Sequence, residues 1–228
     1  MRGKPLHSLA RGLIRMSWNK YNLYNLASRT FTPNLANRTL YQQKWTSKCD
    51  TRSYHGPQLT EREFLRVFDP RLPTSNTRLG TDRGQGRHPP ASTLTFAELE
   101  RRLDFIVFRS NFAPSIHAAR QLCVHGKVTL NGKKMAYPSH RVKDGDIISV
   151  DPSSVSVLSG KKGTELTFAP KPFSQPFLFV PDYLEVNYNI CSTVFLRAPM
   201  SKPGRTELPS PFPPEMHSLV YEFYAKRK

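Results

Sequence analysis

The first 49 residues hold nine lysines and arginines and no aspartate or glutamate; the first carboxylate is Asp50. A stretch this long without acids cannot neutralise itself through local ion pairs, so it either stays solvated or lies against something anionic. A second acid-free block runs from Phe105 to Lys143 and carries Arg109, Arg120, Lys127, Lys133, Lys134, Arg141 and Lys143. The two blocks dominate a formal net charge of +17 over 228 residues. That charge does not specify a fold, but it opposes a free compact state and attracts polyanions. No apolar run approaches the ~18 residues needed to cross a membrane.

Local signals place the elements. Thr60 with Glu63 makes a capping box and Leu59 with Phe64 a hydrophobic staple, so a helix starts at 60 and stops at Asp69-Pro70. Residues 70–93 are rich in proline and glycine and read as a linker or an extended, surface-hugging segment. The same device recurs at Thr95 with Glu98, and Leu99, Leu103, Ile106 and Val107 predict one helix from Thr95 to about Arg109. Ser115 caps a second helix with the apolar stripe Ile116, Ala119, Leu122 and Cys123, which Gly126 ends in a left-handed cap. Val128–Leu130, Asn131-Gly132 and Lys133–Met135 read as strand, type I′ turn and strand. Asp144-Gly145 leads into a strand at Ile147–Val150, and Tyr183–Val186 and Thr193–Leu196 predict two more. A proline-rich loop at 208–214 precedes a short helix or strand at 216–225.

The expected fold class is α+β in four parts: an irregular basic arm (1–57), a short helix and linker (58–93), a small helix-helix-β RNA-binding module (94–151) and a β-containing C-terminal extension (152–228). The module sets Arg120, Gln121, His125, Lys127, Lys133, Lys134 and Arg141 on one basic face, with His117, Asn131 and Lys143 around it. Such a face suits the phosphates of a folded RNA, and no recognition helix for a DNA groove stands out. Seven contacts would give a salt slope on the order of −5 to −6. Plainer readings stand beside this one: His125 as a helix cap, Lys133 and Lys134 as solubilising turn residues, Arg102 paired with Glu98, and Asp104 in a structural role.

The first ~30 residues have the Arg-rich, acid-free composition of an import leader, with Leu6, Leu9, Leu13 and Ile14 at helical spacing and Lys4, Arg11 and Arg15 between them. Residues 16–54 interleave rings and cations, among them Trp18, Lys20, Tyr21, Tyr24, Lys44, Trp45 and Arg52, a pattern that stacks on unpaired bases and holds phosphates. Deleting this arm is expected to leave the module folded. Cys49, Cys123 and Cys191 are spaced for neither zinc nor a redox pair, so no metal or cofactor is expected.

RRLDFIVFR (101–109), AARQLCVHGKVTLNGKK (118–134) and PSHRVKDGDIISV (138–150) resemble the RNA-binding module of the fourth protein of the small ribosomal subunit. QLTEREFLRVFDP (58–70), VPDYLEVN (180–187) and LPSPFPPEMHSLVYEFYAK (208–226) resemble other parts of that family in the same order, and WNKYNLYNL (18–26) and LYQQKWTSK (40–48) its fungal mitochondrial members. Residues 71–92 and 155–178 look like insertions. The resemblance implies a non-enzymatic constituent of the mitochondrial small subunit in the matrix. Its partners would be small-subunit rRNA, neighbouring small-subunit proteins and mRNA near where it enters. The C-terminal extension would pack back on the N-terminal part and on the ribosome. By position, Arg102, Arg109, Arg120, Gln121, His125, Lys127, Lys133, Lys134 and Arg141 inherit RNA contacts. The competing readings are a free-standing RNA-binding regulator and an RNA-modifying enzyme or accessory using the same module. For an enzyme, the 78 residues after Val150 offer no nucleotide fingerprint or acid/base pair.

Overall fold

Two threonines start helices by the same chemistry. The Thr39 side chain accepts from the Gln42 N–H while the Gln42 side chain reaches back to the Thr39 N–H, opening α2 (Leu40–His55), which follows α1 (Lys20–Ser28). Thr60 and Glu63 repeat the box for α3 (Glu61–Val67), as expected. The computed structural model describes residues 9–28, 37–68, 94–155, 158–159, 167–169, 172–202 and 205–225. The Asp69-Pro70 stop, the 70–93 linker and much of the 155–178 segment lie outside the described residues.

The N-terminal arm is therefore not irregular, a correction to the sequence reading. Its helices are held by long-range packing that composition does not reveal: Ile14 and Met16 are fully buried, and Trp18 and Tyr54 nearly so. The expected leader helix is absent among the described residues, where 9–12 form a turn and 13–15 run without helix.

The helix expected from Thr95 to Arg109 is broken. A single turn, α4 (Ala97–Glu100), is followed by α5 (Leu103–Arg109), and Arg102 between them is extended (ψ 142) and bridges to Arg141. Thr95 does not cap it; Phe96 holds the N-cap position without a side-chain bond. The break lets the Leu103 and Asp104 N–H groups donate to the carbonyls of His140 and Pro138 on the loop that leads to β3.

α6 (Ile116–Val124) follows the sequence closely. The Ser115 hydroxyl accepts from the Ala118 N–H (3.1 Å), and Ile116, Ala119 and Cys123 are buried. At its end the Gly126 N–H donates to Cys123 and the Lys127 N–H to Leu122, a paired closure that needs the left-handed φ of +67 at Gly126. Burial pushes the Cys123 thiol up to about 12, so it is inert.

β1 (Val128–Leu130) and β2 (Lys133–Lys134) form the hairpin, with positive φ at Asn131 and Gly132. β3 (Ile147–Val150) pairs with β1. Two short ladders are formed by β4 (Leu158–Ser159) with β5 (Thr167–Phe168), and by β8 (Ser201–Lys202) with β9 (Arg205–Thr206). β6 (Leu184–Asn187) and β7 (Ser192–Phe195) extend the module's own sheet, giving the antiparallel order β2-β1-β3-β7-β6. Val128, Ile148, Val150, Thr193 and Phe195 face inward, and Thr129, Lys134 and Ser149 share the outer face.

The C-terminal segment ends in α7 (Pro214–Ala225), which lies along α2. Tyr224 stacks on Phe68 (4.5 Å) beside Phe64, and Phe68 meets Phe96 edge-on. Under this aromatic cluster, His55 is fully buried against Phe96, and the Ser210 hydroxyl lies 3.0 Å from both its Nε2 and that of His217. Burial, with His217 and Arg109 nearby, pushes the His55 pKa well below its usual 6.5. Below about 6.5 the unfolded chain therefore takes up a proton that the native chain refuses, and stability falls as pH falls. A decline of up to ~1.4 kcal/mol per pH unit is expected from this group between pH 6.5 and 5. Thermal melts across that range should show it, and His55→Asn should flatten the dependence.

Candidate nucleic-acid interface

α6 buries one face and exposes the other. His117, Arg120, Gln121, Val124 and His125 recur at spacings of three and four residues, so they form one stripe along the helix. Arg120, Gln121, Val124 and His125 are exposed and His117 is half-buried. At the C-terminal end of the stripe a groove of about 360 Å³ opens between the helix end and the outer face of the sheet, lined by His125, Gly126, Lys127, Thr129, Lys134 and Ser149, with Asp151 at its edge. Lys133, Lys134, Arg141 and Lys143 are exposed around it.

Not every cation there is free. Lys127 Nζ lies 2.8 Å from Asp151, whose carboxyl is lowered to about 2 by Lys127 and by bonds from Ser153. Lys127 thus reaches a phosphate only by sharing its charge. Arg141 is well exposed and touches Glu98 at 3.6 Å. Arg120, Lys133, Lys134 and Lys143 have no ion-pair partner among the described residues. Five contacts, these four with Arg141, lower the expected salt slope to on the order of −4.

Several expected contacts are taken up inside the protein. Arg109 is the clearest: it is 3 % exposed and makes a two-pronged bond to Glu100 (3.0 and 2.9 Å). It also donates to Tyr54 Oη (3.1 Å) and to the Pro209 carbonyl (3.0 Å), while Tyr183 Oη donates to Glu100 (2.9 Å). Desolvation opposes the Arg109 charge, but Glu100, Tyr54 and Tyr183 hold its pKa well above the ordinary value. No RNA can reach it.

Arg102 binds neither Glu98 nor open solvent but Asp104, through Nε (3.1 Å) and Nη2 (2.9 Å). The extended backbone at Arg102 removes the four-residue helical offset to Glu98. Asp104, fully buried, also accepts from the Phe105 N–H, which fits the structural role expected of it. Asn131 is likewise occupied: its amide donates to Asp146 and accepts from the Ile147 N–H, both at 2.9 Å, locking the hairpin to β3.

In the arm, Trp18 is buried, Lys44 is buried in an ion pair with Glu222 (2.6 Å), and Arg52 is held by Glu61 and the Leu59 carbonyl. These three are removed from the stacking and phosphate roles expected of them. Lys20, Tyr21, Tyr24 and Trp45 remain exposed, and Tyr41 joins Trp45 in a near-parallel pair 6.3 Å apart.

Arg15, placed by its spacing in a leader helix, instead belongs to a strap over 13–18 laid against the start of α6. The acid-free charge pattern contained it, but only the long-range pairing of Ser17 with Ser115 reveals its place.

No metal site is formed: among the described residues no cluster of three or more His, Cys, Asp or Glu could hold an ion. No described helix is long and apolar enough to cross a membrane. The helix and hairpin present exposed cations on one side of a small sheet, and residues 101–148 match the S4 domain. The chain is 38 % identical, across all of its length and 82 % of the relative's, to the small ribosomal subunit protein uS4m of Schizosaccharomyces pombe. It is 35 % and 36 % identical to the small ribosomal subunit protein uS4 of Ruegeria sp. and of Cereibacter sphaeroides, over 79 % of this chain and 74 % of each relative. The chain belongs to the uS4 family.

Proposed function

We propose that this chain is a structural, non-catalytic constituent of the small subunit of the mitochondrial ribosome, in the matrix, where it binds small-subunit rRNA and packs against neighbouring ribosomal proteins. What carries the reading is the exposed, carboxylate-poor stripe of α6 continued by the β1–β2 hairpin, within a chain similar along its whole length to a mitochondrial-type small ribosomal subunit protein, uS4m. Arg120, Gln121, His125, Lys133, Lys134, Arg141 and Lys143 hold phosphates and sugars, with Lys127 and His117 at the margins. The exposed Lys20, Tyr21, Tyr24 and Trp45 supply a second contact to unpaired bases, and mRNA entering the subunit passes nearby. The fold reads RNA shape rather than sequence, because its cations sit on helix and hairpin surfaces rather than in base-reading register.

Replacing Arg120 and Lys133 together with alanine should weaken binding to a small-subunit rRNA transcript and flatten the plot of log K against log salt by about two units. An unchanged slope places the RNA on another surface. Sedimentation of the tagged chain separates this reading from a free-standing regulator: it should travel with small subunits, not as free protein.

A further inference from the structure

The strap over 13–18 is fixed with more care than a passing N-terminal segment requires. Asn22, fully buried, donates to the carbonyls of Arg15 (2.8 Å) and Ser17 (2.7 Å) and accepts from the Arg15 N–H (2.7 Å). The Ser53 hydroxyl donates to the Ile14 carbonyl (2.9 Å). The strap then runs antiparallel to the start of α6: the Trp18 N–H donates to Pro114 (2.9 Å) and the Ile116 N–H to Met16 (3.1 Å), around the Ser17–Ser115 pair. That pairing brings Arg15 to the first turn of α6, close enough for its charge to act on His117. Arg120 stands three residues on from His117, the spacing at which helix side chains are neighbours.

We infer that Arg15, His117 and Arg120 form a binding site for one phosphodiester of the RNA backbone, built jointly by the N-terminal strap and α6. The inference rests on the rRNA reading above and extends it to a site that needs two distant parts of the chain. Neither Arg15 nor Arg120 makes an ion pair among the described residues, although Arg120 acts at longer range on the carboxylates of Glu63 and Asp104. His117 Nε2 is buried and has no hydrogen-bond partner in the structure. A phosphate lodged there accepts from the two guanidinium groups, and its charge acts on the imidazole, whose Nε2 is itself buried. The local electrostatics agree. Burial, then Arg15 and Arg120, lower the His117 pKa; burial and Arg11 lower that of Arg15. The charged groups acting on His117 are Arg15 from the strap and Arg120 from its own helix. A bound phosphate reverses their effect, so His117 takes up a proton as RNA binds.

The test uses the full chain and a mitochondrial small-subunit rRNA transcript. Arg15→Ala should weaken binding about tenfold and remove about one unit of salt slope, and Arg15→Lys should recover most of the loss. His117→Ala, a change that α6 tolerates, should reduce the gain in affinity that the unaltered chain shows between pH 8 and pH 6. Unchanged slope and pH profile in both variants, while the Arg120/Lys133 pair still lowers the slope, overturn this site and leave the rRNA reading standing. Loss of incorporation into subunits without any change in RNA binding also overturns it, in favour of an acidic protein neighbour. Failure of the unaltered chain to bind the transcript overturns both.

Discussion

Replacing Glu100 with alanine is expected to lower folding stability by about 3–5 kcal/mol, the usual cost of stranding one half of a buried ion pair. Arg109 would be left in the interior with only Tyr54 and the Pro209 carbonyl as partners. The same magnitude is expected for Arg109→Ala, which strands Glu100 with the Tyr183 hydroxyl alone. Denaturant unfolding measures both. The comparison with RNA binding is the sharper check. Under conditions where the variant remains folded, Arg109→Ala should leave the salt slope of rRNA binding unchanged, because the guanidinium never reaches solvent. A reduced slope in folded Arg109→Ala protein would return that residue to the RNA face.

Tyr224→Ala is expected to cost about 3–5 kcal/mol, as for other large aromatic deletions from a packed core. The ring is 1 % exposed, stacks on Phe68, meets Phe64 and Phe223, and its hydroxyl donates to Glu61 (3.0 Å). Tyr224→Phe keeps the stack and loses only that bond, so it should cost about 0.5–1.5 kcal/mol. Calorimetry of the two variants separates ring from hydroxyl. Equal losses would mean that the bond to Glu61, not the stack, ties the C-terminal helix down.

What could be read from the chain was local. The Thr60–Glu63 box, the Ser115 cap, the Gly126 closure and the Asn131-Gly132 turn each depend on a few neighbouring residues, and all four are present. The helix from Thr95 failed because its break at Arg102 is set by a loop some forty residues later, whose carbonyls take the Leu103 and Asp104 N–H groups. From sequence the arm over 16–54 looks separable, because its rings and cations resemble a solvated binding tail. In the structure Met16, Trp18 and Tyr54 belong to the same core as α5 and α6, so its deletion should not leave the module folded. The basic stripe on α6 was legible from helical spacing alone. Which cations were spent internally was not, since Glu100 and Asp104 differ from surface acids only in their depth.

The sheet and the aromatic cluster share one property of timing. The strand that completes the module, β7, ends at Phe195, and the helix that covers α2 and α3 ends at Ala225. A polypeptide made from its N-terminus onward therefore carries its RNA-facing helix and hairpin well before the pieces that steady them exist. Until residues 214–225 emerge, Phe64 and Phe68 lack the cover of Tyr224, leaving a sticky intermediate for chaperones to hold. Truncations that spare every cation of α6 and the hairpin should thus still deplete the protein from cells, through quality control rather than through lost affinity.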